Sequence, residues 1–192
     1  MFDFFQTYLI LGFKHIVDLS GFDHILFIIT LCAVYRPTEW RKVTILITAF
    51  TIGHSATLAL AAYRIVVPNG YLIEILIPIT ILASSIFNLL AKGSDSNPRL
   101  MIKYALALCF GLIHGMGFSN FFNLLMGDTA NIVFPLFSFN VGIEIGQLII
   151  VGMYYGFYML IMKLTTFPHN RFVQLFSGLG VITSIILIFE RI

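Results

Sequence analysis

The sequence predicts an all-α fold, a polytopic transmembrane helix bundle of about six spans, and two observations carry that prediction. Charged residues make up only 10% of the 192 and hydrophobic residues 59%, with a mean hydropathy of +0.96. A soluble domain carries about a quarter charged residues to cover itself with solvated groups, and this chain has too few for a water-facing surface. The second observation is the punctuation: short polar segments cut the apolar residues into runs near the roughly 20 residues that a spanning helix needs. Six such runs fill 1–192 as a single transmembrane domain.

The elements follow from the punctuation in order. A short amphipathic stretch over 3–17 comes first and breaks at Asp18-Leu19-Ser20-Gly21. The first span is expected over 22–35, ended by Arg36-Pro37-Thr38-Glu39-Trp40-Arg41-Lys42. The second covers 43–63, and Pro68-Asn69-Gly70 turns the chain into the third, over 71–91. Lys92 to Arg99 form a polar loop before the fourth span, 100–126, and Gly127 to Asn131 separate it from the fifth, 132–164. The sixth covers 172–189.

Orientation follows from the cations. The loops 36–42, 92–103 and 163–171 hold Arg36, Arg41, Lys42, Lys92, Arg99, Lys103, Lys163 and Arg171, whereas 63–71 and 127–131 hold only Arg64. Lys/Arg-rich loops stay in the cytoplasm, which puts the amino-terminal stretch at the outer face as an interfacial or re-entrant helix. Making 3–17 a seventh span would leave a short segment carrying Lys14, His15 and Asp18 in lipid. The eleven Lys and Arg form no run, so nucleic acid is not an expected partner. Cys32 and Cys109 lie in apolar runs without CxxC spacing and read as buried small hydrophobes. The amino terminus has no basic n-region or small-residue cleavage site, so a cleaved signal peptide is not expected.

An ionisable side chain in hydrocarbon costs several kcal/mol unless it faces the bundle interior and finds a partner, so each one here is a candidate for function. His15, His24, His54 and His114 lie in or beside spans, as do Asp18, Asp23, Glu74 and Glu144, while His169 is expected to be solvated in a loop. His54 lies roughly 14 Å below the outer end of its span at 1.5 Å per residue. His114, Asn140 and Glu144 fall at similar depths, and Asp23, His24 and Glu74 at the outer mouth. Asn140, Glu144 and Gln147 share one helix face by i+4 and i+3 spacing, and Glu74, Pro78, Ser85 and Asn88 form a stripe on another span. Thr44, Thr48, Thr51 and Ser55 run along the span that carries His54.

Imidazole and carboxylate together suit a divalent transition metal such as nickel, cobalt, copper or zinc. A graded set of moderate sites from mouth to midplane suits an ion that must enter and also leave. The expected metal ligands are His24, His54, His114, Asp23, Glu144 and His15. Asp18, Ser55, Glu74, Asn88, Asn140 and Gln147 are expected to support them. Each has a structural alternative: His54 as a core histidine bonded to Thr51 or Glu144, Glu74 as a helix amino-terminal acid, Asp23 as a cap, Ser85 and Asn88 as interhelical bonds.

At these segments the sequence resembles the HupE/UreJ family of small bacterial membrane proteins. The matching segments are 12–27 (GFKHIVDLSGFDHILF), 50–58 (FTIGHSATL), 74–88 (EILIPITILASSIFN), 110–118 (FGLIHGMGF) and 139–147 (FNVGIEIGQ). Position 20 is Ser where a more glycine-rich turn is expected, and position 80 is Thr. The resemblance implies a nickel, cobalt or copper permease in the bacterial inner membrane. The lipid bilayer and the metal ion are its expected partners, with a second copy of the chain or an accessory metal-delivery protein left open. A reading from a different class is an intramembrane hydrolase, in which a bound zinc activates water, Glu144 or Asp23 acts as base and Ser55 or Ser119 takes part. A third is that the polar residues only hold helices together.

Overall fold

A computed structural model describes residues 2–19, 21–90, 97–126 and 132–192, and it is helical almost throughout. Seven α-helices run in order among the described residues: α1 (Phe2–Val17), α2 (Asp23–Ala33), α3 (Trp40–Ala62), α4 (Gly70–Leu90), α5 (Asn97–Met126), α6 (Val133–Leu164) and α7 (His169–Arg191). The loop expected at 127–131, most of the loop at 92–99 including Lys92, and Ser20 lie outside the described residues.

Five helices, α3 to α7, are long and apolar enough to cross a bilayer. The span expected over 22–35 takes another form. Its helix, α2, has 11 residues, about 16 Å at the α-helical rise, or half of a ~30 Å hydrocarbon core. Its ends have local causes. Pro37 holds the residue before it out of the helical region, and Arg36 is extended at φ −83°, ψ 157°. At the other end Asp23 opens the helix.

α1 packs lengthwise against α6. The two helices run in the same direction. The rings of Phe4 and Phe5 meet Phe134 at 6.4 and 5.9 Å, Gly12 abuts the carbonyl of Phe139, and Ile16 abuts Gly146. α2 carries on from there: Cys32 belongs to one buried cluster with Tyr154, Tyr155 and Tyr158, and His169 Nε2 lies 3.3 Å from the Val34 carbonyl. His169 is thus engaged at the start of α7, where a solvated loop residue was expected. The 16 residues of α1 and the 11 of α2 together reach about 40 Å, the length of one long helix. Each is shorter than the roughly 20 residues that a spanning helix needs, and their junction brings His15 of α1 beside His24 of α2.

The tightest pairing is α3 against α5. A methyl group at Gly53 would collide with the Leu108 carbonyl, and one at Gly111 with the Phe50 carbonyl. Small residues at a crossing allow this backbone approach where no hydrophobic driving force exists between helices in lipid. Lys103, expected in a basic loop, lies inside α5 instead, buried with its ammonium 4.9 Å from the Tyr35 ring centroid. α4 packs on α7 and contains Pro78. A proline has no N–H, so the carbonyl four residues earlier loses its helical partner. That carbonyl belongs to Glu74, and Arg191 Nη1 donates to it at 2.7 Å.

Candidate metal centre

The end of α1, the start of α2 and the middles of α3 and α5 bring four histidines to one place. His15 is in the last turn of α1 and His24 is the second residue of α2. Ring centroids lie 4.7 Å apart for His15 and His24, 5.9 Å for His15 and His54, 6.4 Å for His24 and His54, and 5.1 Å for His24 and His114. His15, His24 and His54 each offer one ring nitrogen such that all three lie within 4.8 Å of one another. Ligands at 2.0–2.1 Å from a zinc-sized ion would have to close inward by up to about 0.7 Å each. A side-chain adjustment of that size is compatible with a site at the junction of two short helices.

The hydrogen-bond inventory sharpens the picture. His24 and His54 have no hydrogen-bond partner on either ring nitrogen, and His15 Nε2 and His114 Nδ1 are likewise unpartnered and buried. Buried polar atoms normally find partners, and imidazole nitrogens without one are ligand-ready. The core-histidine alternative for His54 required bonds to Thr51 or Glu144. Those two turn elsewhere: Thr51 Oγ1 donates to Gln147 Oε1 at 2.8 Å, and Glu144 Oε1 accepts from Thr48 Oγ1 at 2.8 Å. His114 differs from the other three. Thr80 Oγ1 gives its one hydrogen to the Ile77 carbonyl at 2.7 Å and lies 3.1 Å from His114 Nε2. With the Thr80 hydrogen on the Ile77 carbonyl, the hydrogen-bond pattern assigns the His114 proton to Nε2 and the lone pair to Nδ1.

Asp23 stands behind His24. Its Oδ1 accepts from the His24 backbone N–H at 2.9 Å and lies 3.1 Å from Nδ1, a close charge contact that is not aligned as a hydrogen bond. Its other oxygen faces Arg191 Nη2 at 3.4 Å. Histidine ligands commonly keep a carboxylate behind the ring, which orients it and raises its basicity.

Access is asymmetric. A cavity of about 820 Å³ lined by Leu11, Lys14, His15, Val17, Asp18, Leu19, Phe118 and Phe121 reaches the cluster at His15. The Phe118 ring covers His15 at 3.9 Å and stacks on Phe139 at 5.1 Å. On the opposite flank Phe27 and Phe50, 5.0 Å apart and both buried, pack against His114. Beyond them lies a smaller apolar cavity of about 140 Å³ lined by residues that include Leu31, Phe110 and Lys103.

The remaining sequence candidates are placed as follows. Glu144 and Gln147 pair with the threonine stripe of α3, which puts them on the α3–α6 seam, outside the group of converging histidine nitrogens. Asn140 Nδ2 donates to the Leu136 carbonyl of its own helix. Ser55 and Ser119 likewise donate to their own helices, at Thr51 and Met116. Asn88 Nδ2 donates to the Thr30 carbonyl at 2.6 Å and ties α4 to α2. The Glu74 side chain is exposed, and its carbonyl makes the contact to Arg191. Asp18 lines the large cavity. Thr80, Phe118 and Arg191 were not among the sequence candidates. Their signals are weak: a threonine in an apolar span, one phenylalanine of twenty, and an arginine at a helix end.

The family model for HupE / UreJ protein matches residues 1–191. The chain belongs to the HupE/UreJ family. That family is generally associated with nickel and cobalt transport. No curated protein and no solved structure matches the chain.

Proposed function

We propose that this protein carries a divalent transition-metal ion across the membrane, with His15, His24 and His54 as its binding station. One observation carries the reading: three histidines from three helices converge, and His15 Nε2, His24 Nε2 and both ring nitrogens of His54 have no protein hydrogen-bond partner. Neutral imidazoles suit nickel, cobalt, copper and zinc, and the family association favours nickel or cobalt as cargo. His114 adds a fourth lone pair beside the station, and Asp23 contributes the negative charge that offsets a cation in low dielectric. A metal would arrive through the cavity at Lys14, Asp18 and Phe118 and leave past Phe27 and Phe50. The Lys/Arg distribution supports an orientation in a bacterial inner membrane in which this cavity opens towards the outer side.

The deciding experiment is uptake of Ni²⁺ or Co²⁺ into proteoliposomes containing a metal-sensitive dye, with the parent protein and His54→Ala in parallel. Loss of even an outer-shell partner typically costs about 10–100-fold in affinity or activity, so losing a ligand should reduce uptake at least tenfold with helical content retained. Equal uptake by parent and variant would overturn the reading.

A further inference from the structure

We infer that Arg191 is a positioning residue for the metal station, one that holds the site at moderate affinity by neutralising Asp23. This rests on the proposed transport reading and extends it to a residue on the last helix. The guanidinium is a fork with one arm on each of two other helices. Nη1 donates to the Glu74 carbonyl at 2.7 Å, the acceptor that Pro78 leaves without its helical partner. Nη2 faces Asp23 Oδ2 at 3.4 Å. The planar guanidinium reaches both acceptors through separate nitrogens in a fixed fork. α7 is thereby tied to α4 and to the start of α2, beside His24.

The charge arithmetic gives the tie a consequence. Three neutral imidazoles and one aspartate would leave a dication short of full compensation, and the aspartate is already shared with Arg191. A unit positive charge within about 10 Å of a dication, at an effective dielectric near 20, weakens binding by more than tenfold. A carrier needs that weakening, because an ion bound too tightly does not leave. The bond to the Glu74 carbonyl holds the guanidinium beside Asp23 independently of the Asp23 contact.

The test is a Co²⁺ titration of the purified full chain, followed by the visible absorption of the bound ion, for the parent, Arg191→Gln and Arg191→Lys. Arg191→Gln should bind Co²⁺ at least about tenfold more tightly and release it more slowly in a stopped-flow chelator chase. Arg191→Lys, which keeps the charge and loses the fork, should stay within about threefold of the parent. A purely structural tie predicts the opposite sign, weaker binding in both variants, and that outcome or an unchanged Arg191→Gln overturns the inference. If Arg191→Gln does not fold, Arg191→Lys decides alone: a more than tenfold loss of affinity overturns it, and near-parent affinity supports it. Absence of Co²⁺ binding by the parent would instead count against the transport reading itself.

Discussion

The α3–α5 pair and the α1–α2 tandem meet at the same histidines but are built on different physics. α3 and α5 are continuous, 23 and 30 residues long, and their backbones touch at Gly53 and Gly111. They hold His54 and His114 on a frame with no room to move. α1 and α2 are short and interrupted, and the segment between them includes Leu19, among the most exposed apolar residues of the chain at 81%. They carry His15 and His24. His54 and His114 thus stand on continuous helices and His15 and His24 at a break; on the proposed transport reading, the broken half is the one that would move to grip and release an ion.

Breaking the rigid half should have the largest effect. Gly111→Leu drives a side chain into the Phe50 carbonyl. Backbone on both sides cannot give way, so the cost lies at or above the upper end of the about 1–3 kcal/mol seen for overpacking. The expected outcome is a protein that fails to elute as a monodisperse peak in detergent. Gly152→Leu is the control, since nothing lies within 4 Å of a side chain there, and its thermal midpoint should match the parent. Equal behaviour of the two variants would mean that the α3–α5 contact is not the frame it is taken to be.

A smaller effect is expected where the frame orients a ring. Thr80→Val removes the acceptor of His114 Nε2–H while keeping the shape of the side chain. A neutral hydrogen bond contributes about 1 kcal/mol net, so the thermal midpoint should fall by a few degrees. Co²⁺ affinity should change less than it does in His54→Ala, because His114 stands outside the three converging nitrogens. A loss of Co²⁺ binding as large as that of His54→Ala would place His114 among the ligands.

The contrast also explains what was legible in the sequence. The bundle was legible because low charge and long apolar runs leave no other fold. The histidines were legible as candidates but not as one cluster: residue counting puts His15 and His24 at the outer mouth and His54 and His114 deeper, whereas the fold brings all four rings together. The break between α1 and α2 was not legible, because the packing of α1 on α6 rests on long-range contacts such as Gly12 against Phe139. Depth also cannot tell which way a side chain turns. Residue counting gives Glu144 and His54 similar depths, yet Glu144 pairs with Thr48, about 9 Å along α3 from His54, while His54 faces the other histidines. Arg191 escaped notice for a related reason: its partners, the Glu74 carbonyl and Asp23, lie 117 and 168 positions away in sequence.

Glu144 is therefore where the smallest effect is expected and where it teaches most. As an intramembrane carboxylate on a helix face with Asn140 and Gln147, it reads from the sequence as a ligand. In the fold it accepts a hydrogen bond from Thr48, six residues before His54, a separation of about 9 Å along α3. Glutamine at this position keeps an oxygen that can accept from Thr48 and loses only the charge. If Glu144 braces the α3–α6 seam, Glu144→Gln should keep its Co²⁺ dissociation constant within about threefold of the parent, the residue of a screened long-range charge effect. If the carboxylate ligates the ion, its loss should weaken binding by well over tenfold, as for a histidine of the station. A titration that returned the larger value would extend the adjustable half of the station to α6, and the division between a rigid pair and a moving tandem would have to be redrawn.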